Sequence, residues 1–389
     1  MYKGYKVRLF PTPEQEELMW KHVYAKRFLW NKLIEIQRNA YRDEKKYFSK
    51  FDMIKMLPDI KKENPWLKEV GSHTLSAVCS DVDYGYQMFF KGIKKIPKFK
   101  TRKIDKNAFP VRREKDSIKF IDNEYVKIPK LGKIKYRCSY NVNPTEFFGV
   151  LKPQIHLENE KWILSFVVEC ENQAHKFTGK RMGIDLGVKN LMVVSYDGEK
   201  IVFGNINKSK RMKNLEKKKK KLDKVIMRKY KSNPLNLNIK GAEWEKSKNI
   251  EKYERIRKKL CKKQANIRKD YIHKITSFLV SLSPDIVVME NLKTSNLLKN
   301  KWQSKSISEC CWFEIRKIMQ YKCENNGIDF ILADTFYPSS KICSACGNVG
   351  KKLKLSERTY VCEKCGFEID RDYNAAINLM NYNNNQSGK

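Results

Sequence analysis

CEKCGFEIDRDYNAAINLMNY, residues 362–382, joins a cysteine pair spaced for a metal to a run that reads as a helix, with Asp372 seven residues beyond Cys365. Asp370 suits the N-cap of that helix, and Asp372 falls in its first turn. Ala375, Ala376, Ile377 and Leu379 give it a small-residue inner face able to pack closely on a sheet. The stretch predicts an acid carried to a sheet by a helix that begins where a metal-binding loop ends.

Working outward, Cys343-x-x-Cys346 precedes Cys362-x-x-Cys365 with fifteen residues between the pairs, the spacing of a four-thiolate zinc ribbon, and Gly347 and Gly366 follow the pairs. Four thiolates fill a tetrahedral Zn²⁺ and leave no open position for a catalytic water. One structural zinc is therefore expected, its binding free energy largely the folding free energy of a small loop-rich insert. Inserted there, the ribbon would clamp substrate beside the acids and fix where Asp372 enters. The other cysteines, at 79, 138, 170, 261, 310, 311 and 323, follow no pairing rhythm and read as reduced thiols.

RMGIDLGVKNLMVVSYDGEKIVF, residues 181–203, reads as strand, turn and strand, then a second turn at Asp197-Gly198 and a third strand. A long basic helical region follows within 208–282, with Tyr253, Ile256, Leu260, Ile267, Tyr271, Ile275, Phe278 and Leu282 as its apolar stripe. The strand DIVVME, a helix near 306–325 and the strand IDFILA complete the order of an RNase H-like sheet. Asp185 lies on the first strand, where Gly183 and Gly187 would leave room for a phosphate, and Glu290 ends DIVVME. Asp185, Glu290 and Asp372 would repel one another unless divalent cations held them. Two Mg²⁺ ions about 3.5–4 Å apart would do so, one activating a water and the other stabilising the leaving oxygen of a phosphodiester. Lys217, Lys218, Lys219, Lys220 and Lys221 form either a solvated face or a phosphate contact, and contact is favoured.

Nearer the start, residues 12–40 open with Thr12 as N-cap, Pro13 and early acids, followed by Leu18, Val23, Phe28, Leu29, Leu33 and Ile36 near helical spacing. A second helix carries Leu75, Val78, Val82, Tyr86 and Phe89 on one side and Ser72, His73 and Ser76 towards another. From about 96 the period becomes two, in IKF, YVKIPK, KIKYR, PQIHLE and KWILSFVVE, with Glu158 and Asn159 at a turn. With YKVRLF these strands suggest a β-barrel into which the helices are inserted, and 171–180 reads as a linker. The fold expected is multidomain α+β. An RNase H-like α/β core (176–336 and 367–389, with a basic helical insertion at about 208–270) carries the zinc ribbon (337–366). The barrel (1–10 and 96–175) carries the helical domain (11–95).

At 389 residues the chain can hold two to four domains. Its 81 Lys and Arg against 44 Asp and Glu give +37, an excess spread along the whole length that calls for a polyanion. Nucleic acid is the first expectation and an anionic membrane surface the alternative. No apolar run of about 18 residues could span a bilayer, and MYKGYKVRLF lacks the apolar stretch of a signal peptide. The reading is a soluble intracellular protein.

KVRLFPTPEQ, IPKFK at 96–100, VKIPKLGKIK at 126–135, GIDLGVKN, RKDYIHK, VVMENLK, SSKICSACG and CEKCGF with EIDRDYNAAINL together make the chain resemble the TnpB proteins of bacterial insertion sequences. The resemblance runs over nearly the whole length and extends, more distantly, to compact type V CRISPR effectors. It implies an RNA-guided DNA endonuclease: a guide RNA pairs with one strand of duplex DNA, the protein reads a short adjacent motif, and one RuvC site cuts. It also implies that Asp185, Glu290 and Asp372 are the three RuvC acids, that the four cysteines form the ribbon, and that the barrel and helices are the wedge and recognition domains. A monomeric, cytoplasmic, nucleoid-associated protein without a membrane is implied too. Ala25 departs from the small glycine often found before the Arg27 and Asn31 signature. Ser72, His73 and Ser76 are candidates for reading the adjacent motif, with a structural surface role for His73 as the alternative. Other readings are a compact CRISPR effector, a guided DNA-binding repressor and a DNA-joining transposase. The intact acids argue against the repressor, and the ribbon before the third acid argues against the transposase.

Overall fold

The computed structural model describes residues 2–102, 105–111, 118–138, 151–169, 175–238, 241, 244–300, 302–351, 353 and 357–383. Cys170 and residues 171–174 of the expected linker lie outside these. The chain divides into two compact units, Met1–Glu171 and Asn172–Lys389. No helix among the described residues is long and apolar enough to cross a membrane.

In the first unit, β1 (Tyr2–Phe10) leads into α1 (Pro13–Glu44), α2 (Lys50–Glu63) and α3 (Ser72–Phe90). The strands β2 (Ala108–Pro110), β3 (Lys119–Phe120), β4 (Tyr125–Ile128), β5 (Gly132–Arg137), β6 (Leu151–Glu158) and β7 (Lys161–Glu169) follow. Thr12 caps α1 as expected, in a reciprocal capping box with Gln15. The Gln15 amide also donates to the carbonyls of Leu131 (2.9 Å) and Lys133 (3.0 Å), so the cap fixes the helix to the strands. Leu29, Leu33, Leu57, Leu75, Val78 and Val82 bury themselves between the helices. Phe89, expected on that face, is instead exposed. The sheet order is β2-β6-β7-β1-β5-β4-β3, and Trp162, Leu164, Phe166 and Val168 alternate into its core. Asn159 and Glu160 both take positive φ in the two-residue turn between β6 and β7. The stretch 96–100 is held on α1, where Asn31 grips the backbone of Lys100 through both its N–H (2.8 Å) and its carbonyl (3.0 Å).

The second unit opens with the antiparallel strands β8 (Arg181–Leu186), β9 (Asn190–Tyr196) and β10 (Glu199–Gly204). Next come α4 (Lys210–Lys231), α5 (Lys248–Ser281), β11 (Ile286–Met289), α6 (Thr294–Leu297), α7 (Ser304–Cys310), α8 (Trp312–Asn325) and β12 (Asp329–Leu332). The ribbon strands β13 (Thr359–Val361) and β14 (Glu368–Asp370) then lead into α9 (Arg371–Met380). The main sheet runs β10-β9-β8-β11-β12, with β11 parallel to both β8 and β12, the order the sequence implied. From His175 onward the expected linker is tied down: Asp285 accepts from the N–H groups of Thr178 (2.8 Å) and Gly179 (2.5 Å) and pairs with His175 (2.8 Å).

The pleat sorts the strand residues between two faces. Met182, Ile184, Val287 and Met289 pack with Ile272, Ile275 and Leu279 of α5 and with α8. Val288 packs on the opposite face with Leu379 of α9. The apolar stripe of α5 is thus corrected in its last turns, where Ile272 and Leu279 point inward and Phe278 is 46% exposed. The helix expected over 306–325 is broken at Cys311, which has φ 54. Cys310 and Trp312 are both buried, and a continuous helix would send residues two apart in nearly opposite directions.

Gly183 also needs correction. The space over it is occupied by α9: a Cβ there would lie 2.0 Å from the Ala376 carbonyl oxygen and 2.3 Å from the Met380 nitrogen. The glycine admits a helix backbone, not a phosphate. At Gly187 the nearest atom is the Asn190 carbonyl oxygen at 2.7 Å, within the local turn.

Two predictions follow from this packing. Gly183→Ala should destabilise the second unit by about 3 kcal/mol through overpacking, lowering its thermal midpoint by roughly 5–10 °C, whereas Gly204→Ala, with open space around its Cβ, should barely move it. Glu216 joins α4, α5 and α7: burial opposes its ionisation, but hydrogen bonds from Lys219, Lys305 and Gln264 prevail and hold its carboxyl at about 2. Its folded value lies below the ordinary 4.5, so the contribution is complete above pH 4.5 and disappears as pH falls towards 2. Glu216→Gln should therefore lower the thermal midpoint at pH 7, by a margin that narrows as pH is lowered below 4.5.

Candidate active site

Alternation along the two central strands brings the first two acids together. Asp185 shares the parity of Gly183, and Glu290 that of Val288, so both stand on the face that carries α9. The pairing of Ile184 with Met289 then sets Asp185 and Glu290 side by side at the ends of β8 and β11. Burial, then the nearby charges of Glu290 and Asp372, push Asp185 well above the ordinary aspartate value, while Arg371 opposes the shift. Glu290 is raised too, chiefly by burial, although it is hydrogen-bonded to Asp185 and the backbone of Leu186. Each residue keeps some exposed surface, but the carboxyl groups are what desolvation acts on. Two adjoining carboxyls that ionise reluctantly are a hard-oxygen donor set suited to a divalent cation.

Asp372 arrives from α9. Asp370 caps the helix, accepting from the Tyr373 N–H at 2.9 Å, so Asp372 lies in the first turn as expected. Its carboxylate pairs with Arg371 at 3.1 Å and Arg358 at 3.5 Å. Arg371 also donates to the carbonyl of Glu357 (3.0 Å), so the third acid is tied to the ribbon strand. The trio influences itself electrostatically but is not drawn around one point. Among the described residues, only the cysteines bring three or more such ligand atoms within 4.8 Å of one another.

Those cysteines form two matching knuckles. Gly347 and Gly366 have φ 73 and 72, and their N–H groups return to the carbonyls of Cys343 and Cys362. The Sγ atoms of Cys343 and Cys365 are 3.7 Å apart and those of Cys346 and Cys362 are 3.6 Å apart. A tetrahedral zinc with bonds of about 2.3 Å has sulfur edges of about 3.8 Å, so the quartet fits that ion.

A clamp that the sequence reading missed joins this knuckle to the acid-bearing helix. Asn374, fully buried, donates to the Ile342 carbonyl at 2.7 Å and accepts from the Ser344 N–H at 3.0 Å. One turn on, Asn378 donates to the carbonyls of Ser339 and Ile342, both at 2.7 Å. The signal was present as two asparagines four apart on the inner face of an otherwise apolar helix. Such residues need fixed partners if they are to be buried. β14, paired with β13, runs to Asp370 and leads directly into α9.

The expected nucleic-acid contacts fall into two groups. Ser72, His73 and Ser76 line one cavity of about 480 Å³ with Thr74, Phe109 and Lys130. His22, which the sequence reading did not single out, also faces it. His22 donates through Nδ1 to the Leu18 carbonyl and accepts at Nε2 from the Gly71 N–H, a neutral post that burial favours. In the second unit, Lys217, Lys218, Lys220 and Lys221 are exposed on α4, but Lys219 is paired with Glu216 at 2.8 Å.

Replacing Asn378 by Ala would leave the buried Ser339 carbonyl without its donor, while the Ile342 carbonyl keeps the bond from Asn374. The expected cost is about 1–3 kcal/mol. Zinc should also pass to a colorimetric chelator faster than from the unaltered protein. Equal release rates would mean that the clamp does not restrain the knuckle.

Comparisons with known proteins find similar sequences along nearly the whole chain. Residues 165–301 match the OrfB_IS605 family model, described as "Probable transposase". Residues 1–46 match HTH_OrfB_IS605, a helix-turn-helix domain, and residues 312–379 match the Cas12f1-like TNB domain. A Streptomyces pristinaespiralis protein named "Putative RNA-guided DNA endonuclease" is 27% identical over 97% of this chain and 88% of its own length. InsQ of Escherichia coli (strain K12), which has the same designation, is 29% identical over 97% of this chain and 91% of its own. The Cas12f1 chain of a solved Cas12f1-sgRNA-target DNA complex aligns over 98% of this chain and 99% of that one, at 16% identity and a TM-score of 0.37. With two OrfB-type models matched and such relatives aligned almost end to end, the chain is similar along nearly its whole length to proteins named as RNA-guided DNA endonucleases.

Proposed function

We propose that this protein is an RNA-guided DNA endonuclease with one RuvC-type site formed by Asp185, Glu290 and Asp372. The observation that carries the reading is the placement of Asp185 and Glu290 side by side at the ends of β8 and β11, on the face where α9 packs with Asp372 in its first turn, in a chain of net charge +37. The names of its full-length relatives support the same activity.

Asp185 and Glu290 would hold Mg²⁺, with Asp372 as the third ligand. Bound there, divalent cations would supply an activated water and charge stabilisation for the leaving oxygen of a phosphodiester. The chain's own work is positional. β8 and β11 present two acids in register, and the Asp370 cap sets the direction from which Asp372 approaches. Arg371 and Arg358 hold that carboxylate in place, while Asn374 and Asn378 fasten its helix to the zinc ribbon. A structural Zn²⁺ on Cys343, Cys346, Cys362 and Cys365 would keep this support rigid.

The rest of the chain would serve recognition. In this reading residues 1–10 and 96–175 form the wedge barrel, 11–95 the recognition helices, 176–336 and 367–389 the RuvC domain, and 337–366 the ribbon. The exposed lysines of α4 would meet guide or target phosphates, giving affinity that falls steeply with salt. Ser72, His73 and Ser76 would face the motif beside the target.

The deciding experiment is cleavage of guide-matched duplex DNA by the purified protein–RNA complex, with and without Mg²⁺. Asp185→Ala should reduce cutting by on the order of 10³-fold or more while guide RNA and target DNA still bind. Cleavage at an undiminished rate by that variant would refute the site assignment.

A further inference from the structure

Beside the acids stand two aromatic rings that the mechanism does not use. Phe336 is 84% exposed, and the Lys293 ammonium lies 5.5 Å from its ring centroid. Phe313, 51% exposed, has Lys317 at 4.7 Å and Arg316 at 5.2 Å from its centroid. Asn291, the residue after Glu290, links both: its Oδ1 accepts from Arg316 at 3.1 Å, and its Nδ2 donates to the Thr335 hydroxyl at 3.4 Å. Two aromatic–cation pairs thus flank the end of the strand that carries the second acid.

The turn bearing Phe336 is fixed. The Tyr337 N–H donates to the Asp334 carbonyl at 3.0 Å, and the Tyr337 hydroxyl donates to the Asn378 carbonyl at 3.2 Å. The Asp334 N–H reaches the Tyr382 hydroxyl at 3.3 Å, and the Tyr337 and Tyr382 rings meet edge to face at 4.8 Å. Tyr337 and Tyr382 anchor the loop on α9 while their neighbour's ring stays in water. One exposed phenylalanine is unremarkable. A ring held outward by a pinned turn, with a cation beside it and catalytic acids nearby, has what an unpaired base needs: a face for stacking and a positive charge for its phosphate.

We propose that Phe336 and Lys293 form a stacking site for an unpaired base of the single-stranded DNA entering the acid site. Phe313 with Arg316 offers a second platform across Asn291. The identity of the strand as substrate rests on the nuclease reading above; the stacking itself does not.

The test uses the full-length protein–guide RNA complex, without Mg²⁺, and a single-stranded DNA oligonucleotide carrying 2-aminopurine, whose fluorescence falls on stacking. Phe336→Ala should abolish the quenching and raise the half-saturating oligonucleotide concentration about tenfold, the lower part of what one stacked base contributes. Phe336→Trp should restore both; Phe336→Leu should not. Zinc content and thermal midpoint should be unchanged, because the side chain is exposed. Quenching and half-saturation in Phe336→Ala equal to wild type would overturn the proposal, as would full rescue by leucine or a response confined to an RNA oligonucleotide. The two readings fail separately. Expected quenching in a protein that never cuts DNA would sink the nuclease and leave the stacking site, and the reverse pattern would sink only the stacking site.

Discussion

Helix α9 touches the backbone of β8 where Gly183 has no side chain, and the arrangement of the second unit depends on that approach. With the Ala376 carbonyl and the Met380 nitrogen in the space a methyl group would need, no other residue admits the helix so closely. Arg181 holds the far end, donating to the carbonyls of Met380 (2.9 Å) and Tyr382 (2.6 Å), and the Tyr373 hydroxyl reaches the Gly198 carbonyl at 3.0 Å near the start. Once the helix lies there, its first turn must bring Asp372 towards the face on which Asp185 and Glu290 stand.

The same helix connects two chemistries with opposite needs. Carboxylates for a hard cation must be close enough to repel, and burial raises that cost further. Thiolates for zinc need a rigid loop, and the left-handed glycines close it by returning their N–H groups to the Cys343 and Cys362 carbonyls. Asn374 and Asn378 lie between these sites as buried amides whose hydrogen bonds end on the knuckle backbone. A rigid ribbon therefore limits where the acid helix can go, and the acid helix limits how far the ribbon can open. The two tyrosines that pin the Phe336 turn draw on the same helix, so the aromatic edge shares its rigidity.

Much of this was legible in the residues themselves, because it follows from short-range rules. Thr12 with Gln15, Asp370 before a helix, Asp197-Gly198 between strands, and glycines after cysteine pairs each specify a local backbone, and each appears as read. The alternation of Trp162, Leu164, Phe166 and Val168 was equally plain. Errors came where two elements compete for the same space. Gly183 looked like room for a ligand because nothing local shows that a helix more than 190 residues later fills it. Phe278 looked like core until the helix rotation set by Ile272 and Leu279 turned it outward, and Cys311 breaks a pattern that periodicity alone would run straight through.

The sequence by itself determined the inventory: three acids at strand and helix ends, four thiols at ribbon spacing, the strand order and a strongly basic chain. These depend on residue type and spacing, which local backbone geometry converts directly into structure. Only the tertiary structure decided which acids share a proton-favouring environment and which one leans on arginines. It also decided that Asn374 and Asn378 join zinc knuckle to acid helix, that Lys219 turns inward while its neighbours do not, and that Phe336 stays in water beside Glu290's strand. Those outcomes depend on desolvation and on partners far apart in the chain, quantities that exist only after the elements have packed.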